Sequence, residues 1–329
     1  MIINTHCFEI FIKLCYIFLI LYLSTFVTII YNKSTKNSFT NLHPEAYGRE
    51  IFDRIKSKYN RGALMSKNEY YFVNGLIRLY KPKKLLEIGV CSGGMSAAIL
   101  NSIKDINGAM LYSCDLEKNN YKINDNKYKV GHFVFTKFPN LMNKWRLYTG
   151  NTTSKFIEDI GGNIDFVFID TAHVMPGEVL NIIEILPFLK KNAIIAFDDI
   201  SHQTKENFAK IPYFYSCNNL LFSILRGKKI LFQEILSKQG AVILDSNQKK
   251  YYFDYFYLLL HNWSYMPNKF ELSTIRNLVE KYYSSDLLHI FDVAIKVNYN
   301  LLKIKGLLDK DYILYTYNIK RKNPFNNKI

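Results

Sequence analysis

The sequence predicts a doubly wound α/β domain built on a mostly parallel sheet. Three observations predict it. Short apolar runs recur through the middle of the chain, helix-length segments separate most of them, and the first run breaks into a glycine-rich turn that resumes as a helix, "KKLLEIGVCSGGMSAAIL". Runs this short and continuously apolar suit strands buried on both faces, the condition inside a parallel sheet covered by helices.

The elements follow in order. Residues 14–31, "LCYIFLILYLSTFVTIIY", are eighteen positions without a charge, about the minimum that crosses a hydrocarbon core as a helix. The run is long for a signal-peptide core and no small-x-small cleavage site follows it, so residues 1–31 are expected to be a retained transmembrane anchor. Lys33, Lys36 and Arg49 follow the span, which places the body of the protein on the cytoplasmic side. Residues 32–48, with Pro44 and Gly48, read as a linker. Helical spacing covers residues 49–59 and 67–80, the second ending before Pro82.

The strand-like runs are residues 84–88, 110–114, 146–150, 166–170 and 193–197, with helices expected over 94–104, 152–160 and 176–190. Residues 228–232 and 241–245 are expected to close the sheet as a hairpin-like edge pair. The α/β domain therefore spans 49–248. From 249 to 329 an aromatic-rich, helically spaced segment reads as a C-terminal helical appendage, whose face suits packing or a homo-oligomer contact.

Composition narrows the partners. The formal charge is +15, but the lysines are spread along the chain and no basic run is dense enough to track phosphates, so nucleic acid is not an expected partner. Cys7, Cys15, Cys91, Cys114 and Cys217 lack C-x-x-C spacing, which argues against a zinc site or a disulfide framework and for a reducing compartment.

The glycine turn carries the chemistry. Gly89, Gly93 and Gly94, preceded by Glu87, place flexible backbone and a helix N-terminus at the carboxyl edge of the first strand, where a nucleotide-like ligand is expected. The spacing departs from the dinucleotide fingerprint G-x-G-x-x-G. It resembles the E-x-G-x-x-x-G first motif of the class I S-adenosylmethionine-dependent methyltransferases. The block "IDFVFIDTAHVMPGEVLNIIEILPFLKKNAIIAFDDI" is similar to the branch holding catechol O-methyltransferase-like and cephalosporin-hydroxylase-like enzymes. Thr171 stands where that branch usually has glycine, and "KKNA" replaces its K-P-G-G.

The resemblance covers residues 67–245 and implies a Rossmann-like sheet with S-adenosyl-L-methionine as cofactor. It carries cofactor contacts onto Glu87, Gly89, Gly93, Gly94, Asp115, Asn151 and Asp170, with Asp115 accepting the ribose hydroxyls and Asn151 near adenine.

Asp170 ends one strand and Asp198 with Asp199 ends the next. If those strands are neighbours, three carboxylates meet at the rim, where their repulsion suits a hard cation such as Mg²⁺; helix capping by Asp199 is the alternative. In the metal-dependent relatives the matching positions hold Mg²⁺ and activate a substrate hydroxyl. His173, with Asp170, is the expected catalytic group, and His202 is a second candidate base. The leading expectation is a membrane-anchored O-methyltransferase acting on a hydroxylated small molecule or an envelope sugar. The alternatives are a nicotinamide-dependent oxidoreductase, disfavoured by the glycine spacing, and a non-catalytic membrane-tethered binding protein of the same fold.

Overall fold

The computed structural model describes residues 67–119, 128–200, 216–231 and 239–308. Within them the five apolar runs become strands β1 (Lys84–Ile88), β2 (Met110–Asp115), β3 (Trp145–Thr149), β4 (Ile164–Ile169) and β5 (Leu189–Phe197). With β6 (Gly227–Leu231) and β7 (Gly240–Leu244) they form a seven-stranded sheet in the order β3-β2-β1-β4-β5-β7-β6. The first five strands pair in parallel, and β7 lies antiparallel to both β5 and β6, so the expected edge pair is present.

Burial on both faces explains the continuous apolar runs. Leu85, Leu111, Phe166, Phe168 and Ile194 enter one core cluster, whereas Leu86, Ile88, Val167, Ile169 and Ile195 enter the other. Successive strand residues point to opposite faces, so a run with no polar member is what two covered faces require. Helices α1 (Lys67–Tyr80), α2 (Gly94–Ile103) and α3 (His132–Lys137) supply the first cluster. Helices α4 (Thr153–Ile160), α5 (Gly177–Ile185) and α6 (Asn218–Ile224) supply the second.

The largest differences from expectation lie around α5 and β5 and at two short helices. The helix expected over 176–190 stops at Ile185, and Pro187 sits in a 3₁₀ turn, Leu186–Phe188, because proline cannot continue the backbone ladder. The following "LKKN" joins β5, with exposed lysines, instead of ending the helix. Helices α3 and α6 were not anticipated: six and seven residues are too few to display a helical period.

After the sheet come α7 (Tyr252–Tyr257), α8 (Lys269–Tyr282) and α9 (Ser285–Ile304). Helix α8 opens with a capping box, in which Asn268 and Glu271 each accept the other's backbone N–H. Phe291, Ala294 and Leu302 of α9 and Ile275 and Leu278 of α8 are buried in the same cluster as Leu86 and Val167 of the sheet. Among the described residues no helix is long and apolar enough to cross a membrane. The apolar stretch 14–31, the helix expected over 49–59 and the loop bearing His202 lie outside the described residues.

The topology fixes where a site forms. From β1 the chain crosses to β2 on one side of the sheet, whereas β4 pairs with β1 on the other. The loops after β1 and β4 therefore diverge and leave a crevice at the carboxyl edge, the usual ligand position in open α/β sheets. Because α9 shares the sheet's core, Phe291→Ala is expected to cost about 3–5 kcal/mol. Denaturant unfolding followed by circular dichroism should show that loss in one transition; a separate early transition for the C-terminal helices would contradict the shared core.

Candidate active site

The turn after β1 is built by exclusion of side chains. Gly89 has φ +89°, and a Cβ placed there would lie 1.9 Å from the carbonyl oxygen of Asp170. Gly93, also at φ +89°, precedes α2 and would bring a Cβ to 3.0 Å from Gly131 Cα. Any larger residue would have to push the turn off β4 or off the loop before α3. The expected glycines thus hold the turn open and close to the sheet edge, and Gly94 is the first residue of α2.

Asp115 ties that turn to β2. Its Oδ2 accepts hydrogen bonds from the backbone N–H groups of Val90 and Cys91, each at 2.9 Å, and its Oδ1 accepts from Glu117 N at 2.9 Å. The carboxylate is buried and shapes the turn itself, a role beyond the ribose contact that the sequence suggested. Gly150 donates its N–H to the Asp115 carbonyl at 3.0 Å, so the ends of β2 and β3 lie side by side. Asn151 follows, its Oδ1 accepting from Thr152 N at 3.0 Å.

Glu87 lies beneath the turn, fully buried on β1. Its Oε2 accepts from Ser96 Oγ at 2.7 Å and Ser113 Oγ at 2.6 Å, while Oε1 has no hydrogen-bond partner among the described residues. Trp145 Nε1 donates to Ser113 Oγ at 2.8 Å and so extends this chain to β3. Burial raises the Glu87 carboxyl to about 7, against the lowering effect of the two serines.

The second half of the site is at β4 and β5. Their register pairs Ile169 with Phe197, which sets Asp170 beside Asp198 and makes the strands neighbours, as the three-carboxylate reading required. Asp170 N donates to Ile88 O, and Asp198 N to Ile169 O, each at 3.0 Å. Asp198 is buried and its Oδ1 accepts from Gln239 Nε2 at 3.0 Å. Burial first, then the charges of Asp170, Asp199 and Glu69, raise its carboxyl well above the usual range.

His173 lies between the other two carboxylates, with Nε2 3.4 Å from Asp170 Oδ1 and 3.7 Å from Asp199 Oδ2. His173 and Asp199 both adopt left-handed backbone, φ +62° and +51°, at this rim. Among the described residues no group of three or more His, Cys, Asp or Glu side chains is arranged to hold a metal. Of the expected set of Asp170, Asp198 and Asp199, Asp198 accepts from Gln239 and the His173 imidazole lies between the other two. No chemical step is routed through Mg²⁺.

Two residues at this rim escaped the sequence reading. Glu178, in the first turn of α5, is fully buried under the His173 loop. Its distance of five residues from His173 was the available signal, but an acidic residue opening a helix is ordinary dipole compensation. Gln239 had no signal, because only the antiparallel β7 brings it to Asp198.

Comparison with known proteins places the domain. Residues 86–200 match the family model of a methyltransferase domain. This chain carries a methyltransferase domain. The matched segment runs from β1 through Ile200 and so contains Glu87, the glycine turn, Asp115, Asn151, Asp170, His173 and the Asp198–Asp199 pair. No curated protein matches the chain.

Solved structures similar to the methyltransferase domain are distant. The O-methyltransferase TomG of Streptomyces achromogenes, in complex with SAM, shares 11% identity over 66% of this chain and 96% of its own, with a TM-score of 0.42. An O-methyltransferase of Bacillus cereus, in complex with SAH, shares 14% over 60% and 90%, at 0.43. The SAH-bound methyltransferase PaMTH1 of Podospora anserina shares 16% over 67% and 96%, at 0.43.

A further buried carboxylate supports the β3 loop. Glu184, in α5, accepts from Ser154 N at 3.1 Å at the start of α4, and burial raises it to about 8. Glu184 and Glu87 both bind protons more tightly folded than unfolded, so they favour the fold most below their unfolded value of 4.5. That advantage is lost as pH rises through about 7 for Glu87 and about 8 for Glu184. At about 1.4 kcal/mol per unit, the Glu184 share is on the order of 3–5 kcal/mol. Thermal unfolding from pH 5 to pH 9 should show falling stability, and Glu184→Gln should flatten the decline, gaining on the wild type at the alkaline end. A wild-type melting temperature that rises over this range would contradict these assignments.

Proposed function

We propose that the chain is an S-adenosylmethionine-dependent O-methyltransferase in which His173 takes the proton of an acceptor hydroxyl. One observation carries the reading: at the β1/β4 crevice the glycine turn and the Asp170–His173 pair meet, since Gly89 packs directly on the Asp170 carbonyl. The glycine turn and the His173 imidazole thereby lie at one edge of one sheet, which supports their reading as cofactor turn and base. The methyltransferase-domain match over residues 86–200 supports it.

The residues present fit the cofactor. Gly89 and Gly93 leave the turn bare of side chains, and the unpartnered Oε1 of Glu87 is a buried acceptor beneath it. Glu87, Gly89, Gly93, Gly94, Asp115, Asn151 and Asp170 are the residues that would hold S-adenosylmethionine. When bound, it supplies an electrophilic methyl group on a sulfonium.

The chain's part in transfer is positioning and proton handling. His173 Nε2 removes the hydroxyl proton, and Asp170 and Asp199, at 3.4 and 3.7 Å, stabilise the imidazolium that forms. The acceptor is a hydroxylated small molecule or an envelope sugar. The apolar stretch 14–31 supports the envelope assignment and a membrane-held enzyme with its catalytic domain on the cytoplasmic side, and the exposed Val297 and Tyr299 of α9 suit self-association.

Transfer of labelled methyl from S-adenosylmethionine to a panel of catechols, phenols and sugars tests the proposal. His173→Gln is expected to lower the rate by about 10²–10⁴ with cofactor affinity unchanged. An undiminished rate would remove His173 as the base. A chain that binds cofactor but methylates nothing on the panel would favour the non-catalytic binding protein.

A further inference from the structure

We infer that Tyr265, carried by the C-terminal appendage, is a further cofactor-site residue: with the segment leading into α8 it walls the crevice on the Asn151 side, where adenine is expected, and offers its hydroxyl to S-adenosylmethionine. This role rests on the S-adenosylmethionine reading of the crevice and adds to it a residue from outside the matched domain.

The path of α8 brings the appendage to the carboxyl edge of the sheet. Helix α8 packs against both α4 and α5. At its far end Lys281 Nζ and Tyr282 Oη donate to Glu158 Oε1, in the last turn of α4, at 2.7 and 2.8 Å. Tyr283 Oη donates to Ile183 O, near the end of α5, at 2.5 Å. Helix α8 thus ends where α4 and α5 end, runs in their direction, and starts where they start. The segment before it is fixed there. Ser264 N donates to Met175 O, two residues ahead of α5, at 2.9 Å, and Trp263 N donates to Asn298 Oδ1 at 2.9 Å. Trp263 is buried, and Met266 packs against the sheet's core.

Tyr265 lies between these anchors. A Cβ placed on Gly177, the first residue of α5, would lie 3.0 Å from Ala172 Cβ and 3.3 Å from Tyr265 Oη. The phenol hydroxyl therefore ends against the turn after β4, one residue from His173, while the side chain as a whole stays partly exposed. Burial first, then the carboxyls of Glu178 and Glu271, hold that hydroxyl well above its ordinary range, so it stays protonated and can donate.

Position favours the cofactor over the acceptor. The groove between α4 and α5 opens at the loops after β3 and β4, those of Asn151 and Ala172, whereas Asp199 follows β5. Glu184, which bonds the start of α4, also acts on Tyr265. Glu271, raised by burial, feels the charge of Glu117, two residues beyond Asp115. The segment 265–271 thus extends from the β4 loop toward the β2 loop, along the line that joins Asp170 to Asp115.

The test is calorimetric titration of S-adenosylmethionine into the full-length chain, Tyr265→Phe and Tyr265→Ala, with the melting temperature of each free chain. Tyr265→Phe keeps the ring and is expected to raise Kd about 2–10-fold while melting like the wild type. Tyr265→Ala is expected to weaken binding further. An unchanged Kd in both folded variants, whatever their melting temperatures, would overturn the role of Tyr265 and leave the cofactor reading in place. A wild-type chain that binds no S-adenosylmethionine would overturn both. Hydrogen exchange of the wild type needs no variant: added S-adenosylmethionine is expected to protect amides of 261–271 together with the turn after β1. Protection of that turn with none in 261–271 would also overturn the proposal.

Discussion

The Gly89 backbone passes so close to the Asp170 carbonyl that no Cβ fits between them. That approach is possible because β1 and β4 are adjacent parallel strands whose connections leave in opposite directions. It joins the two halves of the site: the turn that would hold a nucleotide is pressed onto the strand end that carries Asp170. From the other side Asp115 draws the same turn toward β2 through Val90 and Cys91. The loop is therefore held between three strand ends, and its shape comes from the sheet order before any ligand contributes.

Buried carboxyl groups surround this junction, and each is managed differently. Glu87 receives two serine hydroxyls on one oxygen and keeps the other unpartnered under the turn. Asp198 is bonded to Gln239 and pushed toward its neutral form by burial and its acidic neighbours. Glu178 accepts several donors from the His173 loop. Leaving such a group unbonded costs about 1–3 kcal/mol, more when charged. Of these groups, Glu87 and Asp198 are held toward their neutral forms by burial, a feature that working sites and structural networks share.

Much of the fold was legible because its strands are covered on both faces. Lys84–Ile88 and Ile164–Ile169 carry no alternation that a half-exposed strand would show, and helix α1 announces its bounds through Phe72, Leu76 and Pro82. Helix α3, "HFVFTK", was invisible because two turns cannot establish a period. The glycines and Asp115 were readable from spacing within one strand-turn-helix unit. The rim was readable only in part. Strands β4 and β5 are adjacent, the condition on which the three-carboxylate reading depended, but the hydrogen bond from Gln239 to Asp198 joins residues 41 apart, which no local pattern encodes. Glu178 was hidden for the opposite reason: its local context, an acid in a first helical turn, already had an ordinary explanation.

The account stands on the glycine turn being a cofactor site shaped by Asp115. Its most direct test is calorimetric titration of S-adenosylmethionine, and separately NADH, into the full-length chain and into Asp115→Ala. Saturable binding of S-adenosylmethionine, no heat with NADH, and loss of binding in a folded Asp115→Ala chain are the results expected. A folded wild-type chain that fails to bind S-adenosylmethionine would contradict the account and leave the turn between β1 and α2 as structure alone.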